Sequence, residues 1–142
     1  MLVCDFMTRS VVSVLPDEPV ALASRLLSRY NIGSLPVCSG GGRLCGIVTD
    51  RDIVLRCVAA GGDPEKTAVK DIMTKSVVSV APEEDISRAA ALMARARIRR
   101  LPVVRGGRLE GMLALGDIAW RPECDMEAAR ALGEISLGTR TV

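Results

Sequence analysis

The sequence predicts a mixed α/β (α+β) fold, built from two tandem β-α-β-β-α repeats packed sheet to sheet with pseudo-two-fold symmetry. Three observations predict it. First, the chain repeats itself: Asp5–Val37 laid over Asp71–Val103 gives 17 identical residues in 33, the mark of a duplicated unit. Second, each copy carries the same succession of a Val-rich run, an amphipathic helical stretch and a glycine-centred hairpin. Third, a small sheet with two helices buries little alone, so two copies must cover each other. The 142 residues suffice for a proper core, since roughly 70% of the unfolded surface is buried at this size.

The elements follow in order. Val11–Val14 and Val77–Val80 read as strands, rich in a β-branched residue. Pro16-Asp17-Glu18-Pro19 and Pro82-Glu83-Glu84-Asp85 come next. Their carboxylates suit the positive end of a helix dipole, so helices begin there. Val20, Ala23, Leu27 and Tyr30 then recur at helical spacing, as do Ile86, Ala89, Met93 and Ala96, each set forming one buried stripe. Two hairpins follow, Leu35–Cys38 with Leu44–Thr49 and Leu101–Val104 with Leu109–Ala114, around Gly40-Gly41-Gly42 and Gly106-Gly107. Glycine supplies the positive φ of tight turns. A second helix, Asp50–Ala60, stops at Gly61-Gly62; its counterpart starts near Leu115 and breaks at Arg121-Pro122. A further helix is expected over about Asp125–Ile135, where Met126, Ala129 and Leu132 form an apolar stripe, followed by a frayed tail. The expected organisation is residues 1–62 as the first repeat, 63–121 as the second, and 122–142 as a C-terminal helix and tail.

Composition narrows function. The 19 basic and 17 acidic residues leave a net charge of +2, with one Phe, one Trp and one Tyr. Neither a nucleic-acid surface nor stacking platforms follow from that balance. No histidine occurs, which removes the commonest general base and a common zinc ligand. No Walker-type Gly-Lys-Ser/Thr segment is present either, and no enzyme activity is expected. The five cysteines are odd in number and lack a C-x-x-C spacing, which fits reduced thiols in the cytoplasm. No apolar run approaches the roughly 18 residues of a membrane span.

One segment carries chemistry. Thr49-Asp50-Arg51-Asp52 stands where a strand turns into a helix. A hydroxyl at the N-cap and an acid three residues on is a capping box. Arg95, Arg97, Arg99 and Arg100 form a charge run, and such runs are mostly solvated faces. Arg99 and Arg100 stand apart through their place just before Leu101-Pro102-Val103.

Taken together, Asp5-Phe6-Met7-Thr8, Asp71-Ile72-Met73-Thr74, the two Leu-Pro-Val triplets and Gly46-Ile47-Val48-Thr49-Asp50-Arg51-Asp52 resemble a tandem pair of cystathionine-β-synthase (CBS) domains, or Bateman module. The whole chain is similar to stand-alone prokaryotic CBS proteins. The resemblance implies a regulatory module that binds AMP, ADP or ATP in clefts between its halves, needs no cofactor, and forms a homodimer whose regulated protein partner the sequence does not name. It also implies the site residues. Asp52 would hold the ribose, Thr49 would approach phosphate, and Ile47, Thr74, Val77 and Val78 would build the adenine slot, with Arg99 and Arg100 reaching phosphate. A second site would use Asp117 with Thr8, Val11, Val12 and Met112. There Ala114 replaces the hydroxyl, so that site is expected to be weaker or to take another ligand. The alternatives are a ligand-free dimerisation scaffold and a binder of S-adenosylmethionine or a dinucleotide.

Overall fold

The computed structural model describes residues 1–119 and 129–135. The chain forms two compact units. One contains Val12–Val77 and Gly107–Leu109; the other contains Met1–Val11, Val78–Gly106 and Glu110–Val142. Spatially, then, the N-terminal segment packs with the second half of the sequence. The reason is a set of backbone bonds. Val3 N–H donates to Glu84 C=O at 2.9 Å, Cys4 N–H to Pro82 C=O at 2.9 Å, and Ile86 N–H to Met1 C=O at 3.0 Å.

In the first unit, helix α1 (Val20–Tyr30) precedes strands β1 (Ser34–Ser39) and β2 (Arg43–Thr49). The strands pair antiparallel from Ser34↔Thr49 to Ser39↔Arg43 around Gly41 and Gly42, whose φ angles are 84° and 79°. A bulge interrupts the register after Val37↔Gly46, because Cys38 pairs with Leu44 and leaves Cys45 as the extra residue. Helix α2 (Asp50–Ile53) follows at once and widens into a π-helical turn over Val54–Val58. The sequence predicts one α-helix over Asp50–Ala60. The difference is the Ala59 N–H, which bonds Val54 C=O at 2.8 Å, one residue further back than an α-helix allows. The stop comes at Gly61, with φ 79°.

The second unit repeats the plan with α3 (Ile86–Ala96), β3 (Arg100–Arg105), β4 (Arg108–Ala114) and α4 (Leu115–Ala119). Residues 129–135 are helical; the expected break at Arg121-Pro122 and the start near Asp125 lie outside the described residues. Helices α1 and α3 end on left-handed residues at equivalent places, Asn31 (φ 51°) and Arg97 (φ 57°).

Each unit has its own aliphatic core. Val14, Val20, Ala23, Leu27, Leu35, Val37, Val48, Ile53, Cys57, Val69 and Ile72 form one. Val3, Val80, Ile86, Ala89, Met93, Leu101, Val103, Leu113 and Ile118 are central to the other, which also takes in Ala131 and Ile135. Among the expected stripes, Tyr30 is an exception at 49% exposed.

The Val-rich runs do not form strands. Only Val14 and Val80 make single parallel bridges, to Val37 and Val103, and only these two of the eight residues are buried. Ser13 and Ser79 are exposed, so neither run has a second strand to complete a ladder. β propensity was present, but tertiary partners were not.

Candidate functional site

In the first unit, Thr49 and Asp52 realise the capping box. Asp52 N–H donates to Thr49 Oγ1 at 3.0 Å, and Thr49 N–H donates to Asp52 Oδ2 at 3.0 Å. Asp52 is the buried charged residue among the described residues, 7% exposed. A buried carboxylate needs partners, and it has three sources. Besides the Thr49 amide, the Thr74 hydroxyl lies 3.3 Å from both oxygens and Arg56 Nη1 lies 3.4 Å from Oδ1.

Two local features deliver those partners. Ile47 and Thr74 exchange backbone bonds of 2.9 and 2.8 Å, which seats Thr74 over the end of β2. This close crossing requires Gly46, where a Cβ would stand 2.7 Å from Thr74 O and 2.8 Å from Met73 Sδ. Arg56 also donates to Ile72 C=O at 3.0 Å, tying the segment before Thr74 to the carboxylate. Sequence reasoning did not single out Arg56. Its spacing of four from Asp52 on a helix was the available signal.

The second unit builds the same crossing. Thr8 and Met112 exchange backbone bonds of 2.9 and 3.0 Å over Gly111, where a Cβ would meet Thr8 O at 2.7 Å. Ala114 N–H donates to Asp117 Oδ2 at 3.0 Å. Alanine has no hydroxyl to return the bond, and Asp117 stays half-buried.

Arg99 and Arg100, grouped by sequence with Thr49 and Asp52, lie in the Asp117 unit. Leu115 N–H donates to Arg99 C=O at 2.8 Å, which holds the arginine pair against the start of α4. Gly33 C=O accepts from Asp50 N–H at 3.1 Å in the first unit, but glycine brings no charge there. Burial pushes the Arg100 guanidinium below its ordinary pKa, while the negative charge of Asp117 opposes that. A pocket of about 560 Å³ opens here, lined by Arg99, Arg100, Ala114, Leu115, Gly116, Ala119, Ala129 and Leu132. Its size lies within the range of small-molecule sites, about 300–1,000 Å³.

The remaining candidates divide by unit. Val77 shares the Asp52 unit and Val78 the other; Val11 shares the Asp117 unit and Val12 the other. Val12 packs on the first unit's core. Val11 and Val77 are half-buried, and Val78 is 37% exposed. Among the described residues, no group of three or more His, Cys, Asp or Glu side chains could hold a metal ion, and no helix is long and apolar enough to cross a membrane.

The sequence model of the CBS domain matches residues 3–58 and 69–121, so the chain belongs to the CBS-domain family. CBS pairs are in general regulatory ligand-binding modules. The chain is 40% identical over 132 residues to the CBS domain-containing protein YhcV of Bacillus subtilis, covering 93% of each. It is 37% identical to inosine-5′-monophosphate dehydrogenase of Korarchaeum cryptofilum, but spans only 27% of that enzyme. Among solved structures it resembles Hypoxic Response Protein I with two coordinated zinc ions, at TM-score 0.79 and 31% identity, covering 85% of this chain and 98% of that one. It also resembles a CBS domain pair in complex with 5′-methylthioadenosine and S-adenosyl-L-methionine, at TM-score 0.73 and 27% identity, covering 84% of this chain and 98% of that one.

Proposed function

We propose that this chain is a non-catalytic, cytoplasmic sensor of adenine nucleotides: AMP, ADP or ATP. The observation that supports it best is the pocket whose lining joins Arg99 and Arg100 to apolar residues, Ala114, Leu115, Ala119, Ala129 and Leu132 among them. Arginine matches phosphate oxygens with charge-assisted, bidentate hydrogen bonds. A carboxylate three residues into the adjoining helix is suited to a ribose diol, and the alanine and leucine side chains to a base.

The geometry also bears on which half fills first. From sequence, Ala114 makes the Asp117 site the weaker. In the folded protein Asp52 is already engaged by Thr49, Thr74 and Arg56, so a diol must displace one of them. Asp117 likewise accepts from a backbone amide, that of Ala114, but it is half-buried and close enough to Arg100 to act on its charge, and we assign it the higher affinity. A nucleotide that prefers one arrangement of the module shifts its population and passes the signal to a partner protein.

The second reading, a binder of S-adenosylmethionine, draws on the solved neighbour that contains that ligand. The arginine pair disfavours it, because the sulfonium is cationic. Calorimetric titration with AMP, ADP, ATP, 5′-methylthioadenosine and S-adenosylmethionine tests both. The phosphorylated ligands are expected to bind most tightly, and Asp117→Asn to weaken them more than Asp52→Asn. No heat with any nucleotide overturns the sensor reading.

A further inference from the structure

The pocket beside Arg99 and Arg100 is closed on one side by a piece of chain that is not part of either CBS repeat. The family match ends at residue 121, whereas Ala129 and Leu132 line the pocket. They belong to the helical segment 129–135. That segment is anchored, since Ala131 is 1% and Ile135 4% exposed within the core of the same unit. Residues 131 and 135 are four apart and share one helical face. Residues 129 and 132 lie on another, which looks over the pocket. Leu132 itself is 47% exposed. A large aliphatic side chain left half in water, on a helix otherwise fixed by its buried face, has no evident role in holding the fold.

We infer that Leu132 is a specificity-determining residue of this ligand site, and that its helix supplies the apolar wall against which the base of a nucleotide packs. This rests on the nucleotide reading above. Chemistry divides the pocket in the required way. Arg99 and Arg100 mark the end for phosphate. Ala114, Leu115, Ala129 and Leu132 in the lining are without polar side-chain atoms, and suit the face of a flat heteroaromatic ring. Ala114 brings only a small methyl group to this lining. The ligand class that follows is a nucleotide whose base is bound by its faces, and inorganic phosphate or pyrophosphate alone should bind far more weakly.

The test uses the full chain. Dissociation constants for AMP, ADP and ATP are measured by calorimetry for the native protein, Leu132→Ala and Leu132→Glu, with pyrophosphate as the ligand that lacks a base. Because Leu132 is exposed, both variants should keep the native circular dichroism and melting temperature within experimental error. We expect about tenfold weaker nucleotide binding in Leu132→Ala, and a larger loss in Leu132→Glu, whose carboxylate also repels phosphate. Weak pyrophosphate binding should be unchanged in Leu132→Ala. Nucleotide affinity equal to the native value in Leu132→Ala overturns the role given to Leu132 and leaves the sensor reading standing. Absence of nucleotide binding to the native protein overturns both. Should either variant unfold, Leu132→Met serves in its place: it keeps the volume and the apolar surface, and native affinity there with loss in Leu132→Gln supports the apolar wall, while equal affinities in the two refute it.

Discussion

At the crossing of Gly46 with Thr74 a single added methyl group is already a severe change. Gly46→Ala places a Cβ 2.7 Å from Thr74 O and 2.8 Å from Met73 Sδ, against an ordinary contact that starts near 3.4 Å. The carbonyl must therefore retreat by about 0.7 Å, the difference of those two distances. Met73 can turn away, but Thr74 O is backbone and is itself the acceptor of the 2.9 Å bond from Ile47 N–H. Overpacking of this kind costs about 1–3 kcal/mol. Losing or stretching the reciprocal pair between Ile47 and Thr74 adds about 1 kcal/mol for each bond. The sum, about 3–5 kcal/mol, is a large share of the roughly 5–15 kcal/mol that holds a domain folded. Displacing Thr74 also takes its hydroxyl from the Asp52 carboxylate. Urea denaturation followed by circular dichroism measures the loss. Gly40→Ala is the control, because a Cβ there meets nothing within 4 Å and should change stability by less than about 0.5 kcal/mol. A Gly46→Ala loss no greater than the control's would refute the claim that this close crossing seats Thr74.

Other outcomes follow from the same structure. Thr49→Ala removes the hydroxyl that accepts from Asp52 N–H and should lower stability by about 1 kcal/mol, whereas Ala114→Thr should complete the second capping box and raise it by up to a similar amount; both are read from denaturation midpoints. Asp85 accepts from Ser87 N–H and Oγ at the start of α3, and these bonds hold its pKa below the ordinary carboxylate value of 3.8. A depressed folded pKa stabilises above the unfolded value and is lost as pH falls below it. The stability difference between native protein and Asp85→Ala should therefore be present at pH 6 and should shrink below about pH 4, as urea titrations at several pH values will show. Burial and the neighbouring Cys45 push the Cys38 thiol pKa up, so alkylation at pH 8 followed by peptide mapping should find Cys38 unreacted until the protein is unfolded.

The parts of this fold that were legible in the sequence are those set by local pattern. The helical stripes of Val20–Tyr30 and Ile86–Ala96 became α1 and α3 with those bounds. The two hairpins appeared around their glycines, each strand within two residues of the predicted span. The capping box at Thr49 and Asp52 was readable because both partners lie within four residues. Long-range facts were not readable. Nothing in Leu2-Val3-Cys4 announces a bond to Glu84 C=O, and the Val-rich runs carry a strand pattern that tertiary packing leaves unused. The 2.8 Å bond from Leu115 N–H to Arg99 C=O, which joins residues sixteen apart in the chain, was not readable either. The π turn at Val54–Val58 likewise lacks a Gly or Pro to mark it.

The proposed nucleotide lies in the pocket lined by Arg99 and Arg100 and by Ala129 and Leu132 of the helical segment 129–135. Titrating isotope-labelled protein with AMP and following backbone amide resonances tests this position by position. Saturable shifts should centre on Arg99, Arg100, Leu115, Gly116 and the amides of residues 129–132. A spectrum that stays unchanged at millimolar AMP, or one that shifts only at sites remote from these residues, contradicts it.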